Sequence, residues 1–249
     1  MTTTSTLERA RLCRLDPELA LTSLEEAEAW IRERGVVVVT AGTGSLPSLH
    51  GACHEPPYMA GSRGFGSWPK TKWRWSFELP KRPGLVLAKI LRGGRAVFLA
   101  GDALAAADPL CRAELARAQA GEYGEAAARA LEVLAQIGPA LPDELGLTKA
   151  ERGRLERAGV LVGRGGPFEP REFLRWDHAV PRPSGDGGEA ALFAAAVRAA
   201  VVAPEAEARR WFPFEAPVEE LVAAGVLHSS HGALTYAGRK SGMRPVSRS

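Results

Sequence analysis

Two seven-residue stretches of this chain are nearly the same: residues 155–161 read LERAGVL and residues 221–227 read LVAAGVL, with five of seven positions identical. The shared glycine is where a helix can stop, because positive φ costs glycine little, and the Val-Leu that follows starts a strand. Each copy is preceded by a short helical stretch, at 142–145 and 206–211, and followed by a Gly-rich or Ser-rich turn, at 163–166 and 229–232. A fainter third copy is IRERGVV at 31–37. A chain that repeats helix, glycine and strand in this way is expected to fold as a series of small units, each with its own helices and short β-hairpin.

The order of short helix, longer helix, glycine and hairpin is that of a winged helix-turn-helix. The expected fold is therefore α+β, made of tandem winged-helix units. At 249 residues and 45% apolar composition, the chain can bury the core of one large domain or of two to three small ones. The expected division is 1–100, an N-terminal unit carrying a basic Trp-rich segment and a hairpin; 101–183, helices and a second unit; and 184–249, a third unit ending in a disordered tail over 240–249.

The local signals fit that division. A short helix is expected over 7–15. Ser23 with Glu26 makes a capping box, and Leu24, Ala27, Trp30 and Ile31 share one helical face that ends at Gly35. The four valines 36–39 predict a buried strand. Loops rich in Gly, Pro and Ser follow, with one short helix over 46–53. Residues 85–90 and 96–99, separated by Gly93 and Gly94, predict a hairpin. An Ala-rich pattern over 102–137 predicts two helices broken near Gly121 and Gly124. Short helices are expected over 143–145 and 148–157, a strand over 159–161, a link at 186–188 and a helix over 189–202.

The charge is concentrated. The whole chain carries only +3, yet residues 63–95 hold nine Lys or Arg against the single acid Glu78. Phe65, Trp68, Trp73, Trp75 and Phe77 are interleaved with them, so three of the six tryptophans lie within 68–75. Cations beside aromatic faces suit a phosphate backbone with accessible bases. The spacing of Trp73, Trp75 and Phe77 also fits the inward face of a strand whose wet face carries Lys72 and Arg74. The candidate DNA-binding residues are Arg63, Lys70, Lys72, Trp73, Arg74, Trp75, Lys81 and Arg82.

Other chemistry is sparse. AGTGS at 41–45 lacks the spacing and lysine of a phosphate-binding loop, and reads as a turn. His50, Cys53 and His54 form H-x-x-C-H without a second ligand pair, so no metal site is expected. Asp177 beside His178 could hold water, but neighbours on a strand face opposite ways, and a structural role is expected for the pair. Three widely spaced cysteines argue against a disulfide framework, and no run of eighteen apolar residues or signal-peptide core occurs. The expectation is a soluble cytoplasmic monomer without cofactor.

Taken in order, LTSLEEAEAWIRERGVVVV, LPSLHGA, WPKTKWRWSFELP leading into LVLAKILRGGRAVFLA, and FEPREFLRWDHAVP resemble the winged-helix DNA glycosylases of the AlkZ and YcaQ type, and most closely their AlkZ-related relatives. The resemblance spans most of residues 20–230. It implies tandem winged helices around a concave basic surface that holds double-stranded DNA, and excision of alkylated or crosslinked purines. Active members carry a Gln-x-Gln or Gln-x-Asp motif soon after the first helices. Here residues 36–44 read VVVVTAGTG, without glutamine, so the catalytic residues do not carry over and only the DNA-binding surface does. A winged-helix transcriptional regulator or protein-interaction module is the alternative.

Overall fold

The computed structural model describes residues 3–40, 42, 44–60, 66, 68–165, 170–185 and 187–237, with backbone alone at 3–5. Arg63, Phe65 and the expected tail over 240–249 lie outside the described residues.

The fold is mixed α and β with small antiparallel sheets. Helix α1 is Thr3–Leu12 and α2 is Leu24–Arg34. The Ser23 hydroxyl accepts the Glu26 amide at 3.1 Å, one half of the expected capping box, while the Glu26 carboxylate accepts the Thr22 amide at 2.9 Å in place of that of Ser23; Gly35 ends α2 at φ 77°. Strand β1 (Val36–Val38) follows, then the short helices α3 (Leu49–Ala52) and α4 (Trp75–Glu78). Strands β2 (Leu85–Ala88) and β3 (Val97–Ala100) pair antiparallel, and β3 lies between its partners in the order β1-β3-β2.

Helices α5 (Gly101–Gln119) and α6 (Glu125–Ile137) are separated at Gly121 and Gly124, both at positive φ. Residues 140–175 form the next small sheet. Ala140 bridges Phe173, a 3-10 turn covers Pro142–Leu145, α7 is Lys149–Arg157, and β4 (Leu161–Arg164) pairs with β5 (Glu172–Arg175). The short helix α8 (Trp176–Ala179) comes next. The last part runs α9 (Glu189–Ala200), β6 (Val202–Pro204), α10 (Glu205–Ala208), α11 (Val218–Ala223), β7 (Leu227–Ser230) and β8 (Ala233–Tyr236), in the sheet order β6-β8-β7.

The same plan therefore recurs three times: a helix, a strand or single bridge, short helical segments, then two strands, with the last strand in the middle. The two strong copies of the sequence repeat fall at equivalent places, α7 to β4 and α11 to β7, with Gly159 and Gly225 at φ 75° and 68°. The faint copy at 31–37 sits elsewhere, joining the first helix of its unit to the first strand. One apolar cluster runs from Val36 to Leu234 through α5 and α9, a second fills the part around α6 and α7, and a third lies beneath α2.

Two sequence expectations need correction. The segment 72–78 is not a strand, because Lys72–Arg74 is a 3-10 turn leading directly into α4. Glu55 fixes this: its carboxylate accepts the amides of Thr71 at 2.7 Å and Lys72 at 3.1 Å and the Thr71 hydroxyl at 2.6 Å, supplying acceptors at the start of the turn. Asp177 and His178 lie in helix α8, not on a strand. Among the described residues, no helix is long and apolar enough to cross a membrane.

Candidate nucleic-acid interface

The helical course of 72–78 decides what the Trp-rich segment offers. Trp73 is 5% exposed, its ring 5.5 Å from Trp68, 6.0 Å from Phe77 and 5.6 Å from Tyr58, with the Arg74 guanidinium 5.3 Å from its centroid. Its faces are occupied by protein, so a base has no room to stack there. Trp75 is half-buried against the cluster under α2, with Lys72 Nζ 5.6 Å from its ring.

The cations of the segment divide into two groups. Lys72 pairs with Glu55 at 3.3 Å, Lys81 with Glu78 at 3.3 Å, and Arg82 with Glu25 at 3.6 Å and Glu28 at 3.5 Å. Lys70 and Arg74 are exposed and have no carboxylate partner among the described residues. The interleaved segment is thus an aromatic knot laced by glutamates, and only part of its charge faces outward unneutralised.

A denser group of unneutralised cations stands on α7. Thr148 and Glu151 form a reciprocal capping box, with the Thr148 amide donating to Glu151 at 2.8 Å and the Glu151 amide donating to the Thr148 hydroxyl at 3.2 Å. The Thr148 hydroxyl, which also donates to the Glu151 carboxylate at 2.7 Å, and the Thr148 amide hold that carboxyl below its ordinary range. Leu155 fixes the inner face of the helix at 1% exposure. The other acid, Glu156, is 6% exposed and is bound by Lys89 at 3.0 Å and by Arg171.

Both acids of α7 are thereby occupied. Lys149, Arg154 and Arg157 are exposed and have no carboxylate partner among the described residues. The turn between β2 and β3 packs against this helix: a Cβ at Gly94 would stand 3.1 Å from Arg157 Cγ and Cδ. That turn adds the exposed Arg92 and Arg95, and Arg92 Nε donates to the Phe212 carbonyl at 3.1 Å.

Beside α7 opens a cleft of about 520 Å³, walled by α5, α7 and residues 212–214. Phe212 and Phe214 stack at 4.9 Å with planes 5° apart, and Arg154 lies 4.6 Å over the Tyr123 ring. The Tyr123 hydroxyl donates to Glu114; burial and that carboxylate push the phenol up to about 12. Cys111, also in the wall, is pushed well above the ordinary thiol range by burial and by the nearby Asp108 and Glu114 carboxylates. Both groups stay protonated near neutral pH, so the cleft, which is also lined by Glu114 and Glu189, presents neither an ionised phenol nor a thiolate.

The helix expected over 148–157 is α7, but its charge does not stand out in the sequence. Its string KAERGRLER has four cations against two acids, a weak signal until both acids are found to be engaged within the fold. The remaining candidates disperse. His50 is buried with its ring 6.3 Å from Trp68, Cys53 donates to the Leu49 carbonyl at 3.2 Å with its thiol raised to about 12 by burial, and His54 Nε2 meets the Arg14 carbonyl at 2.8 Å. Among the described residues, no three His, Cys, Asp or Glu side chains group as metal ligands. Asp177 is held by Arg175 at 3.0 Å; burial pushes its carboxyl up, and the Arg175 hydrogen bond together with the charges of Arg175, His178 and Arg112 outweighs that, leaving it below the ordinary value. Of the expected turn at 41–45, residues 41 and 43 lie outside the described residues; the Ser45 amide donates to Glu207 at 2.7 Å.

Comparison of the chain with protein-family models, curated proteins and solved structures finds no match.

Proposed function

We propose that this chain is a DNA-binding protein made of three winged-helix units, over about 24–100, 125–175 and 189–237, that grips a duplex with α7 and the turn at 92–95. The support for the units is the thrice-repeated plan of helix, strand, short helices and two strands, with the last strand central. The observation that carries the binding reading is the position of α7. It is the helix just before the hairpin, the place of the groove-reading helix in a winged helix, and it carries Lys149, Arg154 and Arg157 without carboxylate partners among the described residues.

The partner is duplex rather than single-stranded nucleic acid. Single strands are held by exposed stacking aromatics, and Trp73 is enclosed. The resemblance to winged-helix glycosylases suggests a duplex bearing alkylated or crosslinked bases. The proposal stops at binding and assigns no base release, because the valines at 36–39 are buried and residues 36–44 supply no glutamine.

A binding titration with an undamaged and an alkylated duplex, run beside an assay for released base, tests this. Binding without base release supports the proposal. Release of free base, or no binding to either duplex, overturns it.

A further inference from the structure

At the far end of α9 from the cleft lies a second cavity, of about 360 Å³, lined by Arg34, Arg198, Val201, Thr235 and Tyr236 among others. Arg34 is the last residue of α2 and is only 9% exposed. Among the described residues its one acidic partner is the adjacent Glu33, at 2.8 Å, whose side chain is 59% exposed. The Nε of Arg34 is buried without an acceptor, and so is that of Arg9 on α1.

The second guanidinium is brought close by Gly35: a Cβ there would stand 3.7 Å from Arg198 Nη2. Arg198 pairs with Asp102 at 3.1 Å, but that side chain is 82% exposed. The lining acid, Glu8, is also exposed. The backbone at the cavity wall is strained as well, since Val201, a β-branched residue, is held at φ 65°.

Two guanidinium groups lining one cavity, Arg34 nearly buried and Arg198 partly exposed, suit an anion that accepts their hydrogen bonds. Both arginines stand in the last turn of their helices, where they offset the partial negative charge of the carbonyl ends. That role uses their charge alone and assigns nothing to the cavity that both side chains line. An oxyanion seated there would accept from both guanidinium groups, and Thr235 and Tyr236 line the same cavity.

We propose that this cavity binds a phosphate group, with Arg34 and Arg198 as its principal contacts. The site lies apart from α7, so it does not depend on the DNA-binding reading.

The test is calorimetric titration with inorganic phosphate and, separately, with glycerol 3-phosphate, chloride holding the ionic strength constant. The wild-type protein is run beside Arg34→Gln, Arg198→Gln and Arg11→Gln. Saturable binding is expected, weakened about tenfold or more by Arg34→Gln and by Arg198→Gln through loss of a charge-assisted hydrogen bond, and unchanged by Arg11→Gln. Tighter binding of glycerol 3-phosphate assigns the site to a phosphate monoester, and equal binding assigns it to the free ion. If Arg34→Gln does not fold, Arg198→Gln, which leaves the buried arginine in place, carries the test. Absence of saturable binding to both probes, or unchanged affinity in the folded variants, overturns the proposal.

Discussion

Gly159 lies so close to Cys111 that a Cβ there would stand 2.5 Å from the cysteine sulfur. This contact seats the end of α7 on α5, and so sets the position of the helix that carries Lys149, Arg154 and Arg157. The equivalent glycine of the last unit, Gly225, has the same left-handed backbone at φ 68° but open space around it.

The two glycines should therefore respond differently to alanine. Gly225→Ala meets only the backbone penalty, about 1–2 kcal/mol. Gly159→Ala adds overpacking of about 1–3 kcal/mol, because its new methyl group overlaps Cys111. Urea denaturation should rank Gly159→Ala as clearly the less stable, and equal losses would contradict the contact.

Asp108 should be the most sensitive buried polar residue of α5. It is fully buried; both its oxygens accept Arg112 Nε at 2.9 Å, and they also accept Trp176 Nε1 at 2.7 Å and the Ser184 amide at 2.8 Å. Asp108→Ala strands all three donors and is expected to lose about 3–5 kcal/mol in denaturant unfolding. Asp108→Asn keeps an oxygen acceptor and should lose less. A loss under 1 kcal/mol for Asp108→Ala would show that α5 does not anchor the 176–184 connection.

Glu55 predicts an acid-sensitive aromatic knot. Burial pushes its carboxyl up, and hydrogen bonds from the Thr71 side chain and from the Thr71 and Lys72 backbone outweigh that, leaving it below the ordinary value. A carboxyl lowered in the folded state stabilises the fold above its unfolded pKa, about 4.3, and that contribution fades as pH falls through the folded value. The stability gap between wild type and Glu55→Gln should therefore be full near neutral pH and shrink in acid. A gap that is constant with pH would remove Glu55 from this role.

Much of the backbone plan is legible in the sequence because local signals agree with the fold. Ser23 with Glu26, Gly35, the β2 and β3 hairpin and the glycines between α5 and α6 all act where they stand. Strand β6 is not legible: an alanine-rich helix runs into VVAP, and the chain turns at Val201 in a left-handed conformation that a β-branched residue rarely adopts. The alternation at 72–78 reads as a strand because the acceptor that makes it helical, Glu55, is sixteen residues from Thr71. The unpaired cations of α7 are hidden in the same way. Charge along the chain singles out 63–95, whereas the carboxylates that pair with Lys72 and Arg82, and the Lys89 and Arg171 that engage Glu156 of α7, are placed by folding.

The most direct measurement is fluorescence anisotropy of a labelled duplex across a series of salt concentrations, comparing wild type with Lys149→Ala/Arg154→Ala/Arg157→Ala and with Lys81→Ala/Arg82→Ala. If α7 holds the phosphate backbone, the triple variant should bind more weakly and lose about 2–3 units from the slope of log affinity against log salt. The double variant, whose cations already face glutamates, should change little. An unaltered slope in the triple variant, or a larger loss in the double variant, would contradict the assignment of the DNA interface to α7.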